Sequence, residues 1–397
     1  MSKLSRREFL FGVATNGVAL ALHRGLPSSS LASRAQSLAV SIPTHRVVHT
    51  HTNLVTNWDY STGWYGDYVN QIVVDLMVDR GVMDLTGALT RAGAWREIIP
   101  GYTTGQKVAI KINLNNASCD DTGQVIDALP QPVNSVIRGL KSIGVLENDI
   151  WVYDVTDGWH SGQMPSRLVN KIVALYPAVQ FHSNESGCST ALGFSVSEYV
   201  HFNVPPDRTI MDRPICNALV QASYLINIPI MKKHGMAGVT LGFKNHFGSI
   251  AGCDLVHWSV DLGDGGYLST YNGLVDIYRN EHFKNKTVLT IGDGLFGARI
   301  DNYSEVPSRW PTFGDQSPNS LFFSRDPVAI DCVMYDFLET EGGVPSGSDD
   351  YLKLAQTNGF GAFEHWDELQ QYHTIDYRRI EVDLLQHVYL PLISRGN

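Results

Sequence analysis

KVAIKIN (107–113), PVNSVIRGLKSI (132–143) and IWVYDV (150–155) are the three runs that decide the fold. The first and last are short and rich in β-branched residues, which pack well on a pleated surface. Between them Val133, Val136, Ile137, Leu140 and Ile143 recur at helical spacing, Pro132 opens the segment and Gly144 closes it. Strand, helix and strand in this order make a βαβ unit, whose strands lie parallel and whose crossover is right-handed.

The same alternation continues on both sides. Downstream, the pattern predicts a helix near 165–175, a strand near 179–182, the buried strand SYLINIP (223–229), a helix near 273–278 and the strands TVLTIGDG (287–294) and SLFFS (320–324). A last helix opens at DPVAIDCVMYDFL (326–338), where Asp326 caps it over Pro327. Upstream, Ile72, Val73, Leu76, Met77 and Val82 predict a helix. It follows an aromatic cluster, Trp58, Tyr60, Trp64, Tyr65 and Tyr68, that packs a lid or core or lines a sugar site. The expected fold is α/β, a mostly parallel sheet with helices on both faces. Two lobes flanking a cleft are an alternative, with a boundary near residue 205 in NVPPDR (203–208).

Residues 1–35 read as an address rather than as fold. Lys3, Arg6 and Arg7 precede the apolar run 11–22, and a small-residue stretch allows cleavage after Ala35 or Ala39. This looks like a twin-arginine export signal, which makes the translocase a partner and the periplasm the destination, and leaves 36–397 as the α/β domain. Lys3, Arg6, Arg7, Arg24 and Arg34 against Glu8 give the segment +4, so a net charge of −10 becomes −14 once it is removed. That balance argues against nucleic acid as a partner. The five cysteines, 119, 188, 216, 253 and 332, are scattered without a CxxC pair. An iron–sulfur cluster is therefore not expected, and the cysteines read as small buried apolar residues rather than a disulfide framework.

The chemistry concentrates in KKHGMAGVTLGFKNHFGSIAG (232–252), a Gly-rich run holding Lys232, Lys233, His234, Lys244, Asn245 and His246, with His257 close behind. Lys232, Lys233 and His234 are expected just past the end of the strand 223–229, where open α/β sheets bind ligands. Three more strand-end loops, 113–121, 157–162 with Asp157 and His160, and 292–297 with Asp293, are expected to converge on it. Imidazoles suit proton transfer near neutral pH or metal binding, and lysines with glycine N–H groups suit a phosphate or carboxylate. The sequence has no Walker loop, no GxGxxG and no GxSxG, so the usual nucleotide sites and a serine hydrolase elbow are unsupported.

VAIKIN with its following helix, LINIPIMKKHGMAGVTLGFKNHFGSIAG, LTIGDG and FSRDPVAID, in that order, resemble the bacterial family known as domain of unknown function 362. A more distant resemblance is to the nickel-pincer lactate racemases. Gly158-Trp159-His160 is similar to their first histidine loop, and His234, Gly238, Lys244 and Gly248 to Gly252 to their second. The resemblance implies His160 and His234 as acid/base groups, Lys244 as cofactor tether and His257, with His246 beside it, as metal ligand. Their acidic and arginine motif after the first strand is replaced here by NNASCDD (115–121). The expected function is a metal- or cofactor-dependent isomerase or epimerase of a small hydroxy acid or sugar, with Lys232, Lys233 and Asn245 as further binding residues. The alternative is a non-catalytic periplasmic anion-binding protein. An enzyme needs two acid/base groups facing one pocket, whereas a binder needs cationic donors alone.

Overall fold

The computed structural model describes residues 43–114, 117–156, 162–205, 209–264, 269–299 and 306–383. Thirteen strands are defined: β1 Arg46–His51, β2 Val108–Lys111, β3 Ile150–Asp154, β4 Gln180–Ser183, β5 Thr190–Ala191, β6 Phe194–Val200, β7 Arg213–Cys216, β8 Tyr224–Asn227, β9 Ile230–His234, β10 Gly238–Thr240, β11 Thr287–Ala298, β12 Ser320–Ser324 and β13 Asp376–Glu381. The helices are α1 Gln71–Thr86, α2 Arg91–Ile98, α3 Pro130–Lys141, α4 Ser166–Val173, α5 Asn217–Gln221, α6 Gly242–Asn245, α7 Gly273–Arg279, α8 Glu281–Lys284, α9 Pro327–Gly342 and α10 Asp350–Thr357.

All strands but β6 and β7 join one sheet, whose main path runs β13-β1-β12-β11-β8-β2-β3-β4-β5. The predicted βαβ unit is present: β2 and β3 pair in parallel, Val108 opposite Ile150 through Lys111 opposite Tyr153. Parallel pairing extends through β3/β4, β2/β8 and β8/β11. β12 interrupts it, lying antiparallel to both β11 and β1. The order reverses between β2 and β8, since β2, β3 and β4 advance one way while β8 and β11 advance the other. Open α/β sheets form their crevice at such a reversal, beyond the carboxyl ends of the strands.

Alternation along each strand feeds two cores. Val48, Ile110, Val152, Ile226 and Phe323 face α1 to α4. Val47, Ala109, Tyr153, Leu225 and Phe322 face α5 to α10. Helices therefore cover both faces. In α3, Val133, Val136, Ile137 and Leu140 are fully buried, each contributing about 1.5–3 kcal/mol. Asp326 caps α9, accepting from the N–H groups of Val328 and Ala329 at 2.9 Å each. The aromatic cluster resolves as packing, with Trp58, Trp64 and Tyr65 all buried.

Three expectations need correction. Lys232, Lys233 and His234 do not lie in a loop: the chain resumes after Pro229 as β9 and turns back on β10, with Gly238 opposite His234. Residues 292–297 are not a loop either, because β11 runs on to Ala298. Cys119 and Cys188 are not isolated apolar residues. They form a disulfide across 69 residues, with Cα atoms 5.5 Å apart, and Gln163 braces both sides by accepting from Cys119 N–H and donating to the Ser186 carbonyl. Cys216, Cys253 and Cys332 are buried and outside any disulfide, as expected. The stretch around residue 205 connects β6 to β7, and 206–208 lie outside the described residues.

Candidate functional site

Antiparallel pairing of β9 with β10 sets the geometry of the basic segment. Alternation puts Lys232 and His234 on one face of β9 and Lys233 on the other. Lys232 is buried. Lys233 instead donates to the Gly342 carbonyl at the end of α9, 3.1 Å away, the terminus that a cation favours. After β10 the chain makes the single turn α6, held by Asp331 of α9. Its carboxylate accepts from Gly242 N–H at 2.7 Å and Phe243 N–H at 3.1 Å, and from the Tyr351 hydroxyl at 3.0 Å.

That turn aims Lys244 back at His234 and at His257, which sits in the 3-10 segment Cys253–Val260. Lys244 Nζ lies 3.3 Å from His257 Nε2 and 4.3 Å from the centre of the Phe247 ring. The His234 and His257 rings are stacked, with centroids 5.8 Å apart and planes 11° apart. His234 Nδ1 accepts from the N–H groups of Met236 and Ala237 at 3.1 and 3.2 Å. The neutral ring therefore carries its proton on Nε2.

Burial and crowding of positive charge neutralise the cluster. Burial, then the nearby Lys232, brings the Lys244 amine down to about 7, and no carboxylate among the described residues pairs with it. Burial and the Lys244 charge bring His257 down to about 3. Burial, Lys244 and Lys232 hold His234 well below the usual imidazole range. Near neutral pH the site thus holds two neutral imidazoles and an amine about half free of its proton, and the free form is the one that attacks carbonyl and acyl carbons. His234 and His257 each keep part of their surface in solvent.

Asn245 and His246 belong to a neighbouring group that sequence reasoning missed, at the reversal between β2 and β8. Lys111 ends β2, Asp154 ends β3 and Asn227 ends β8. Lys111 Nζ lies 3.3 Å from Asp154 Oδ2 and donates to Asn245 Oδ1 at 3.2 Å. Asn245 in turn donates to Asn227 at 2.7 Å, and Asn227 donates to the Gly242 carbonyl at 3.0 Å. Gly248 is where the backbone comes closest: a Cβ there would lie 2.0 Å from Asp154 Oδ1 and 2.8 Å from Lys111 Nζ. The signal in the sequence, a polar residue closing each of three strands, is spread over strands that are neighbours in the sheet and not in the chain.

His246 packs edge-on to Phe283, with centroids 5.1 Å apart, and is pushed to about 3 by burial and by Lys111. Its ring contacts are with Tyr278 and Phe283, whereas those of His257 are with His234 and Phe247. The two histidines are thus not brought together as a metal pair. Among the described residues no group of three or more His, Cys, Asp or Glu side chains gathers to hold a metal ion. Asp293 is also elsewhere. Its strand neighbour Gly292 faces Met334 and Phe322, so Asp293 points to the opposite face of the sheet. Burial raises its carboxyl to about 7. Asp157 and His160 lie outside the described residues.

The family model described as domain of unknown function (DUF362) matches residues 108–336, from the first residue of β2 into α9. The chain belongs to the DUF362 family. The matched region contains the switch-point network, β9, β10, α6 and the Lys244 cluster, so both groups lie within what defines a DUF362 protein. No curated protein matches the sequence. Among solved structures the chain is similar to a structural-genomics protein from Thermotoga maritima, at 13% identity and a TM-score of 0.37. The match covers 60% of this chain and 53% of that one, so the chain spans about half the length of the protein it matches.

Proposed function

We propose that this DUF362 protein is an exported, cofactor- or metal-dependent isomerase or epimerase of a small hydroxy acid or sugar, centred on Lys244, His234 and His257. The observation that carries the reading is the buried Lys244 amine, brought down to about 7, 3.3 Å from a neutral imidazole nitrogen. A buried lysine without a carboxylate partner is costly to a fold and is a candidate for function on physical grounds.

A nickel-pincer-type group, implied by resemblance, fits these residues in one respect. Attaching Lys244 to a carbonyl-bearing cofactor would remove the amine from His257 Nε2 and leave that lone pair open to a metal. Lys244 would tether the group and His257 would ligate it. When bound, the group supplies hydride exchange at the substrate carbinol carbon. His234 offers an Nε2–H donor to a substrate oxygen, and Lys232 supplies positive charge for a carboxylate. His160 would be the second acid/base group. Export by the twin-arginine route is supported by Arg6-Arg7 and by the Cys119–Cys188 disulfide, since such links persist in oxidising compartments.

The test is intact mass, elemental analysis and peptide mapping of the protein purified from its native host. The expected result is a fixed mass increment on the Lys244 peptide, with metal in proportion, absent from Lys244→Ala. A hydroxy-acid or sugar substrate deuterated at its carbinol carbon should epimerise with a primary isotope effect and keep its deuterium in H2O. A bare chain that leaves such substrates unepimerised, still binding phosphate or a carboxylate, would establish the alternative, an anion-binding protein using Lys232 and Lys244.

A further inference from the structure

A cleft opens where β1 and β13 end. It has a volume of about 380 Å³ and its walls include His51, Phe313, Phe337, Trp366, Gln370 and Arg379, within the size range of small-molecule sites. The strands β12 and β11 lie between β1 and β8 in the sheet, and none of the Lys244 cluster lines it. The aromatic walls are mutually braced, with Phe337 against Phe313 at 5.8 Å and against Trp366 at 5.1 Å between centroids.

The polar groups are preset. Glu381 bridges two of them: its Oε2 lies 2.6 Å from His51 Nδ1 and its Oε1 accepts from Arg379 Nε at 2.8 Å. The bridge fixes both orientations and offsets the guanidinium charge, leaving the Nη groups as donors. His51 is 7% exposed, and its buried Nε2 has no hydrogen-bond partner. Gln370 supplies a further observation. It is an exposed residue at φ 57°, in the left-handed region, which glycine would occupy without strain. Strain of this kind gathers at ligand clamps.

We propose that this cleft binds a neutral pyranose sugar. A pyranose has an apolar C–H face for Trp366 and the phenylalanines and adjacent hydroxyl pairs for planar side chains such as Gln370 and Arg379. Because Glu381 offsets Arg379, the lining favours hydroxyl groups over a free carboxylate. The proposal does not depend on the reading of Lys244.

The test is calorimetric titration and saturation-transfer NMR of the full-length protein with D-glucose, D-galactose, maltose and cellobiose, with 4-hydroxybenzoate as the charged comparator. At least one sugar is expected to bind saturably, with Lys244→Ala having no effect. Gln370→Gly should melt no lower than the parent, since it relieves the backbone, yet weaken sugar binding by about tenfold, the effect of losing one hydrogen-bonding group. Trp366→Ala should weaken it at least as much. Absence of binding by all four sugars up to about 10 mM, binding of 4-hydroxybenzoate alone, or sugar binding that survives both substitutions would overturn the proposal.

Discussion

Lys111 ends β2 and Lys244 lies in α6, one residue before the asparagine that Lys111 bonds. Both are buried, at 1% and 8% exposure, and they meet that burial differently. Lys111 has Asp154 at 3.3 Å and two further acceptors. The carboxylate opposes the depression that burial imposes on its amine. Lys244 has an imidazole, an aromatic face and a second lysine. The first arrangement keeps a charge in place and ties three strand ends together. The second discharges an amine and leaves it reactive. Burial by itself therefore does not single out a lysine for chemistry; burial beside like charge makes one a candidate.

The largest expected effect is on the paired side. Asp154→Asn leaves Lys111 buried beside an amide and should lower stability by about 3–5 kcal/mol, read as the shift in a urea or thermal unfolding midpoint. A loss below about 1 kcal/mol would place the pair with weak surface bridges and dissolve the contrast. Gly248→Ala comes next. Its Cβ would collide with Asp154 Oδ1, and the forced shift should cost about 1–3 kcal/mol, without altering any charge.

A change spread over pH, smaller than either at any single pH step, sharpens the other side. The Lys244 amine is at about 7 folded and near 10.4 unfolded. Between those values the unfolded chain holds a proton that the native state does not, so stability rises with pH across the window, by at most about 1.4 kcal/mol per pH unit. Lys244→Met should leave the fold intact and remove that rise, so that the difference between the two pH profiles is the rise itself. Parallel profiles for parent and variant would mean that Lys244 keeps its proton to high pH and is a bound cation, not a nucleophile.

Much of the frame was legible in the sequence because periodicity reports burial. The spacing 133, 136, 137, 140 could only be a helix against a sheet, and β2 and β3 followed from their β-branched runs. The glycines misled. In β11, Gly292, Gly294 and Gly297 read as loop signals, yet Met334 and Trp310 leave no room for a Cβ at Gly292 and Gly297, and Met231 crowds Gly294. The same habit placed Lys232 to His234 in a loop when they form a strand. Lys244, His234 and His257 were found because unlike chemistry stood close in sequence. Lys111, Asp154 and Asn227 were not, since one polar residue at a strand end resembles any boundary and only the sheet reveals three side by side. The disulfide was hidden by an odd cysteine count and a separation of 69 residues.

That disulfide gives the molecule two mechanical states. Closing a loop of this size restricts the unfolded chain by about 4 kcal/mol in the chain-entropy account. In reducing surroundings the segments after β2 and β4 are held near Cys119 and Cys188 by single hydrogen bonds such as those of Gln163. After oxidation they are joined covalently around α3, β3, α4 and β4. The same polypeptide would then be looser where it is made than where thiols are oxidised, and its resistance to unfolding would record which of those environments it had reached.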